Sequence, residues 1–219
     1  MVSKLNKIII LGGSKGIGKS IFKETKSLAK KSVACSRKEI DTSNLESVRR
    51  FVKKYKSTDV LVLNSGGPPN IKFNEISEND WYKYFNQLFL GYCIILKSLK
   101  INKNGYIFYI SSSIIKEPSE NLIISSSLRV AFSSVLKSLS LQYAKKNISI
   151  INIAPGPFKT QRVKELIKNV SKVEKTLPFK KLGDPEEIGK FVNFVIRNKI
   201  KYLSGTIVNF DGSISKNLF

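Results

Sequence analysis

The sequence predicts an α/β fold in one domain, residues 1–219, with a doubly wound parallel sheet covered by helices on both faces. Short apolar runs of β type recur at residues 8–11, 32–35, 60–63, 106–110, 149–153 and 206–210. Segments with helical spacing separate them, roughly 18–29, 45–55, 80–99, 122–144 and 185–198. Strand alternating with helix implies right-handed crossovers and a parallel sheet. No Pro/Gly/Ser-rich linker divides the chain and no repeat is visible.

The first strand runs straight into Gly12-Gly13-Ser14-Lys15-Gly16-Ile17-Gly18, and an amphipathic stretch follows. This is how a buried strand turns sharply into a helix whose N-terminus faces a phosphate. Gly12 supplies a backbone conformation other residues resist, while Gly16 and Gly18 allow close approach of ligand and helix. The unpaired N–H groups of the first helical turn then point at a diphosphate, making a Rossmann-type nucleotide site. The second strand ends at Ser36-Arg37, and the next helix begins near Leu45. Polar residues precede the later helices and act as caps: Asp41-Thr42-Ser43, Ser77-Glu78-Asn79-Asp80 and Asp184-Pro185-Glu186-Glu187. The stretch 158–184 is irregular by comparison and reads as a substrate lid.

Composition removes several chemistries. The chain has no histidine and only two cysteines, Cys35 and Cys93. That excludes histidine-based triads, leaves no metal site, and argues for a reducing cytoplasm over a disulfide framework. The net charge is +22, but the lysines are dispersed without a basic tail or block, so nucleic acid is not the expected partner. No apolar run is long enough to span a membrane.

Several motifs together resemble the short-chain dehydrogenase/reductase family, in its order and across nearly the whole chain. Gly12 to Gly18 resembles its T-G-x-x-x-G-I-G loop, with Leu11 in place of the threonine. Asn64-Ser65-Gly66 resembles its N-A-G motif, and Ile110-Ser111-Ser112 the strand end that presents its serine. Pro155-Gly156 with Thr160 resembles the P-G-x-x-x-T turn that holds the nicotinamide. Leu182 to Ile188, Ser204-Gly205-Thr206 and Asp211-Gly212 resemble the closing helix and last strand. The resemblance implies a strand order 3-2-1-4-5-6-7. It also implies a hydride-transferring oxidoreductase acting on a small carbonyl or acyl-thioester substrate, and a homodimer or homotetramer. Trp81, Tyr84, Phe85, Leu88, Phe89, Val130, Ser133, Ser134 and Leu141 are the expected two-fold surface.

Departures from the family pattern are equally specific. Counting on from Ser112, the family's Tyr and Lys positions hold Ser125 and Arg129, and its asparagine position holds Leu88. Asn64-Ser65-Gly66-Gly67-Pro68-Pro69 and Ser125-Ser126-Ser127-Leu128-Arg129 resemble a 3-oxoacyl-reductase-like subgroup with N-x-G-G-P-P and S-N-x-x-R. The expected catalytic set is therefore Ser112, Ser125 and Arg129, with Lys116, Tyr109 and Tyr143 as other possible proton donors. A Ser hydroxyl is a far weaker acid than a phenol, and Arg does not relay a proton. The alternative reading is a dinucleotide-binding sensor or scaffold that has lost catalysis. Between Arg37 and Leu45 the chain is too short for a helix plus a strand, so that crossover is expected to be missing and the third strand vestigial. Arg37, at the position where an acidic residue would accept the ribose 2′-hydroxyl, favours NADP over NAD. Lys15, Ser14 and Ser36 point the same way, and Asp41 is the candidate for the adenine amino group.

Overall fold

The computed structural model describes residues 4–167 and 169–218. Each apolar run forms its strand: β1 (Leu5–Leu11), β2 (Ala29–Cys35), β3 (Ser57–Leu63), β4 (Lys100–Ile110), β5 (Ser149–Pro155) and β6 (Thr206–Phe210). They pair in parallel in the order β2-β1-β3-β4-β5-β6. The sequence order reverses beside β1, and the crevice at the carboxyl ends of β1 and β3 is where such sheets bind ligands.

Helices α1 (Gly16–Thr25), α2 (Leu45–Lys54), α3 (Glu78–Phe85), α4 (Gly91–Ser98), α5 (Ile123–Ala144) and α8 (Pro185–Arg197) flank the sheet, and the short helices α6 (Gln161–Leu166) and α7 (Val170–Thr176) bury no residue. Strand alternation sorts the core into two layers. Ile8, Ile10, Val60, Val62 and Phe108 meet Ile21 of α1 and Ile188, Val192 and Val195 of α8. Ile9, Leu61, Leu63, Ile107 and Tyr109 meet Val48 and Phe51 of α2, Tyr92 and Ile95 of α4, and Phe132 and Leu136 of α5. Complete burial of each such side chain stabilises the fold by about 1.5–3 kcal/mol.

The connection from β2 to α2 contains no helix and no strand. Residues 36–44 form turns, with the Glu39 and Ile40 N–H groups donating to the Ser36 carbonyl. The sheet ends at β2, so the expected third strand is absent. This loop folds across the long-helix layer, where a Cβ on Gly91 would lie 2.7 Å from the Thr42 carbonyl oxygen. The cap of α2 is Asn44, whose side chain accepts from the Ser47 N–H, one residue beyond the expected Asp41-Thr42-Ser43. Ser77 and Asp184 cap α3 and α8 as the sequence predicts.

Three further features differ from expectation. The helix expected over 80–99 is interrupted by a π-helical turn at Asn86–Leu90. The segment 158–184 is not irregular throughout, because Thr160 and Asn169 cap the short helices α6 and α7. Its two ends meet where Phe158 bridges Gly183, with the Lys159 N–H on the Gly183 carbonyl at 2.9 Å. Of the expected two-fold surface, Tyr84 and Leu88 are buried inside the subunit, whereas Phe85, Val130 and Leu141 are exposed. No helix among the described residues is long and apolar enough to cross a membrane.

Candidate active site

A cavity of about 440 Å³ opens at the carboxyl ends of β1, β3, β4 and β5. The strand ends deliver Asn64, Ser111, Ser112 and Pro155 to it, and the start of α5 adds Ser125 and Arg129. Most residues singled out in the sequence meet there: Gly12, Ser14, Lys15, Gly16, Ile17, Arg37, Asn64, Gly66, Ser112, Ser125, Arg129, Pro155, Gly156 and Thr160 line it.

The turn into α1 is shaped to admit a ligand. Gly12 has φ +59°, and a Cβ on Gly18 would lie 2.2 Å from the Gly12 carbonyl oxygen. Gly18 therefore lies behind the cavity wall, holding helix against loop. Lys15 occupies the N-cap position of α1 and its side chain makes no capping bond. The N–H groups of the first turn are left for a ligand, and the helix dipole favours an anionic one.

Besides Gly18, two expected cofactor contacts, Ser36 and Asp41, lie outside the lining. The Ser36 N–H donates to the Glu39 carboxylate at 2.6 Å, and its hydroxyl donates to the same oxygen. These hydrogen bonds hold Glu39 below the usual carboxylate range. Asp41 accepts from the Ser43 N–H at 3.0 Å and from Arg37 Nε at 3.0 Å. Partial burial pushes its pKa up, but the Ser43 hydrogen bonds and the Arg37 charge hold it below its ordinary value. Sequence reading missed this use of Glu39, because turn geometry alone brings its carboxylate back to Ser36.

At the deep end, Arg129 Nε donates to Ser125 Oγ at 3.2 Å and Nη1 donates to the Ile110 carbonyl at 3.1 Å. The helical i, i+4 spacing puts both side chains on one face, and both are buried. Ser112 Oγ accepts weakly from the Ile114 N–H at 3.5 Å and faces the cavity. Its neighbour Ser111 is engaged elsewhere, donating to Asn152 Oδ1 at 2.5 Å. Leu88 sits wholly in the core, but the π turn presents the adjacent Gln87, whose Nε2 donates to the Gly66 carbonyl at 2.7 Å. A π turn adds a residue to the helix and shifts the face that follows, so a count along regular helix cannot find Gln87.

Arg162 was also missed. It reaches from α6 to the Pro68 carbonyl and lines the cavity. Burial lowers its pKa from the ordinary value, with Glu165 opposing and the like charge of Arg129 adding to the effect. Among the described residues no tyrosine or cysteine lines the cavity. Tyr109 is fully buried in the core, where burial raises its pKa against the opposing charge of Arg129, and among the described residues its hydroxyl meets no hydrogen-bond partner of good geometry. Tyr143 donates to the Leu96 carbonyl at 3.5 Å, and Lys116 is not among the lining residues. Among the described residues no group of three or more His, Cys, Asp and Glu could hold a metal ion.

The family model described as enoyl-(acyl carrier protein) reductase matches residues 16–215, and the chain belongs to this family of short-chain dehydrogenases/reductases. It is 26% identical to a 3-oxoacyl-[acyl-carrier-protein] reductase FabG of Buchnera aphidicola, over 94% of this chain and 96% of that protein. It is 27% identical to the NADPH-dependent reductase BacG of Bacillus subtilis, over 73% of this chain and 68% of that protein. Among solved structures, a short-chain dehydrogenase family protein from Francisella tularensis superposes with a TM-score of 0.82 at 19% identity, covering 96% of this chain and 98% of that one.

Proposed function

We propose that this chain is an NADP(H)-dependent reductase of a carbonyl substrate, of the 3-oxoacyl-reductase type. The observation that carries this reading is the opening of the uncapped α1 N-terminus into the same cavity as Ser112 and Arg129. One ligand lying along that cavity reaches from a diphosphate seat to a hydroxyl donor. The NADPH-dependent BacG, similar in sequence, supports the cofactor. Arg37 favours the 2′-phosphorylated form. Its exposed ion pair with Asp41 is worth about 0.5 kcal/mol, less than the 1.5–3 kcal/mol of a charge-assisted hydrogen bond to phosphate.

Bound NADP(H) supplies the hydride. The Gly12–Gly18 turn and α1 would hold its diphosphate, Asn64, Gly66, Pro155 and Gly156 would line its path, and Thr160 would orient its nicotinamide end. Ser112 Oγ donates a hydrogen bond to the carbonyl oxygen as negative charge develops there, and the proton arrives through hydroxyls and water. Ser125 and Arg129 complete the donor set in place of a phenol and an ammonium. The stretch 158–184, carrying α6 and α7, serves as the substrate lid, and the chain works as a closed-symmetry dimer or tetramer. The absence of a phenol from the cavity lining also favours a second reading, a dinucleotide-binding sensor without turnover. Calorimetry with NADPH and NADH, followed by NADPH oxidation across ketones and 3-oxoacyl thioesters, tests both. Preferential NADPH binding with oxidation supports the reductase. Binding with silence on every carbonyl supports the sensor, and failure of NADPH to bind removes both.

A further inference from the structure

Arg129 is 5% exposed, and none of the ion pairs among the described residues includes it. Its Nε and Nη1 are taken by Ser125 and Ile110, and among the described residues Nη2 has no hydrogen-bond acceptor. A buried guanidinium without a counter-ion is costly unless an anion joins it. A second guanidinium faces the same space, because Arg162 is fixed by the Pro68 carbonyl and meets Glu165 only at 3.8 Å.

Gly67 locates the point where they converge. A Cβ there would lie 3.5 Å from Arg129 Nη2, 3.5 Å from Ser125 Oγ and 3.7 Å from Arg162 Nη2. Because residue 67 is glycine, no side chain stands between these groups and the cavity they share. Two cations and a hydroxyl facing the cavity beside the bare Gly67 backbone form a seat for a group with several acceptor oxygens. The wider lining agrees, with Lys15, Arg37, Arg129 and Arg162 set against the single carboxylate of Glu165.

We propose that Arg129, Arg162 and Ser125 form an oxyanion seat for the substrate, which is a carbonyl compound bearing its own carboxylate or phosphate ester. The proposal rests on the reductase reading in assigning this anion to the substrate. The cofactor's phosphates are accounted for at α1 and Arg37, the other end of the cavity. An anionic substrate is also drawn in by the field of a chain with net charge +22.

Calorimetry on the full chain, with and without saturating NADPH, tests this with two matched pairs of probes: acetoacetate against methyl acetoacetate, and dihydroxyacetone phosphate against dihydroxyacetone. At least one anion should bind about tenfold or more tightly than its neutral partner. The favoured pair identifies carboxylate or phosphate. Arg162→Gln, on a short outer helix where the core is not disturbed, should erase that preference and leave the neutral probes unchanged. Lys164→Gln, an exposed cation on the same helix, should leave the preference intact. Equal binding of anion and neutral partner in both pairs overturns the proposal. So does a loss with Lys164→Gln as large as with Arg162→Gln, which would make the effect one of general surface charge. An anion preference in a protein that does not bind NADPH would remove the reductase reading and keep the seat. NADPH turnover without anion preference would do the reverse.

Discussion

Ser112 carries the largest chemical burden of any single residue in this account. It stands at the end of β4 with an oxygen that is nearly uncommitted within the protein, at 3.5 Å from its one backbone donor. Ser112→Ala should lower turnover by ~10²–10³, the usual cost of removing one oxyanion hydrogen bond, with little change in NADPH affinity. Steady-state rates together with calorimetry check both halves. The pair Ser125→Tyr with Arg129→Lys restores the family's phenol and ammonium at the cost of the seat's hydroxyl and guanidinium, and should raise turnover of neutral carbonyls while weakening the preference for anionic ones. Without a phenol at position 125, the wild-type rate should lack a tyrosine-dependent alkaline limb. Arg37→Asp should narrow or reverse the preference for NADPH over NADH. Because Arg37 is exposed, the loss belongs at the low end of the charge-assisted range, about 1.5 kcal/mol. Equal wild-type affinities for the two cofactors would sink the 2′-phosphate argument.

At the scale of elements, α5 joins the site to the core. Its Phe132 is fully buried and packs edge-on against Tyr109 at 5.0 Å and tilted against Tyr92 at 5.1 Å. Phe132→Ala should cost about 3–5 kcal/mol in denaturant unfolding and loosen the start of α5, where Ser125 and Arg129 sit. A second element-scale prediction concerns Lys201, just before β6. Its Nζ lies 3.2 Å from the Tyr106 ring centroid and donates to the Asn104 and Gly105 carbonyls. Burial lowers its pKa to about 8. Between pH 8 and its unfolded value near 10.5, the unfolded chain binds more protons at this site. Stability from this group should therefore rise with pH through that window. NMR of methylated lysines should show one resonance titrating near pH 8 that disappears in Lys201→Arg. Lysines all titrating together near 10.5 would contradict it.

The same elements explain what could be read in the sequence. Every strand was legible, because fully buried parallel strands must be short apolar runs with β-branched residues. The missing crossover followed from setting the short spacing between Arg37 and Leu45 against the family pattern. The π turn was not legible, since Asn86–Leu90 carries no residue pattern that marks one, and so Gln87 was hidden behind Leu88. Arg162 was hidden because short helices such as α6 depend on caps and tertiary contacts more than on periodicity. The engagement of Ser36 with Glu39 depends on a side chain folding back within a turn, which linear spacing does not encode.

On the whole-molecule scale, the exposed Tyr82, Phe85, Val130 and Leu141 on α3 and α5 leave apolar surface without an internal partner. We expect a dimer or tetramer by light scattering at micromolar concentration, with Leu141→Glu shifting it toward monomer. A monomeric wild type would refute that expectation. The positive field of the chain should make association with anionic ligands fall with added salt, a trend that stopped-flow binding of NADPH at graded ionic strength would record. The central claim is hydride transfer within a cavity that lacks a phenol, and deuterium transfer tests it most directly. Wild-type protein is incubated with NADPH deuterated at the transferred position and a panel of ketones, oxo acids and 3-oxoacyl thioesters, and the products are weighed by mass spectrometry. Deuterium should appear at the alcohol carbon of at least one product, at a rate lowered ~10²–10³ by Ser112→Ala. NADPH that binds yet leaves no deuterium in any product would contradict it.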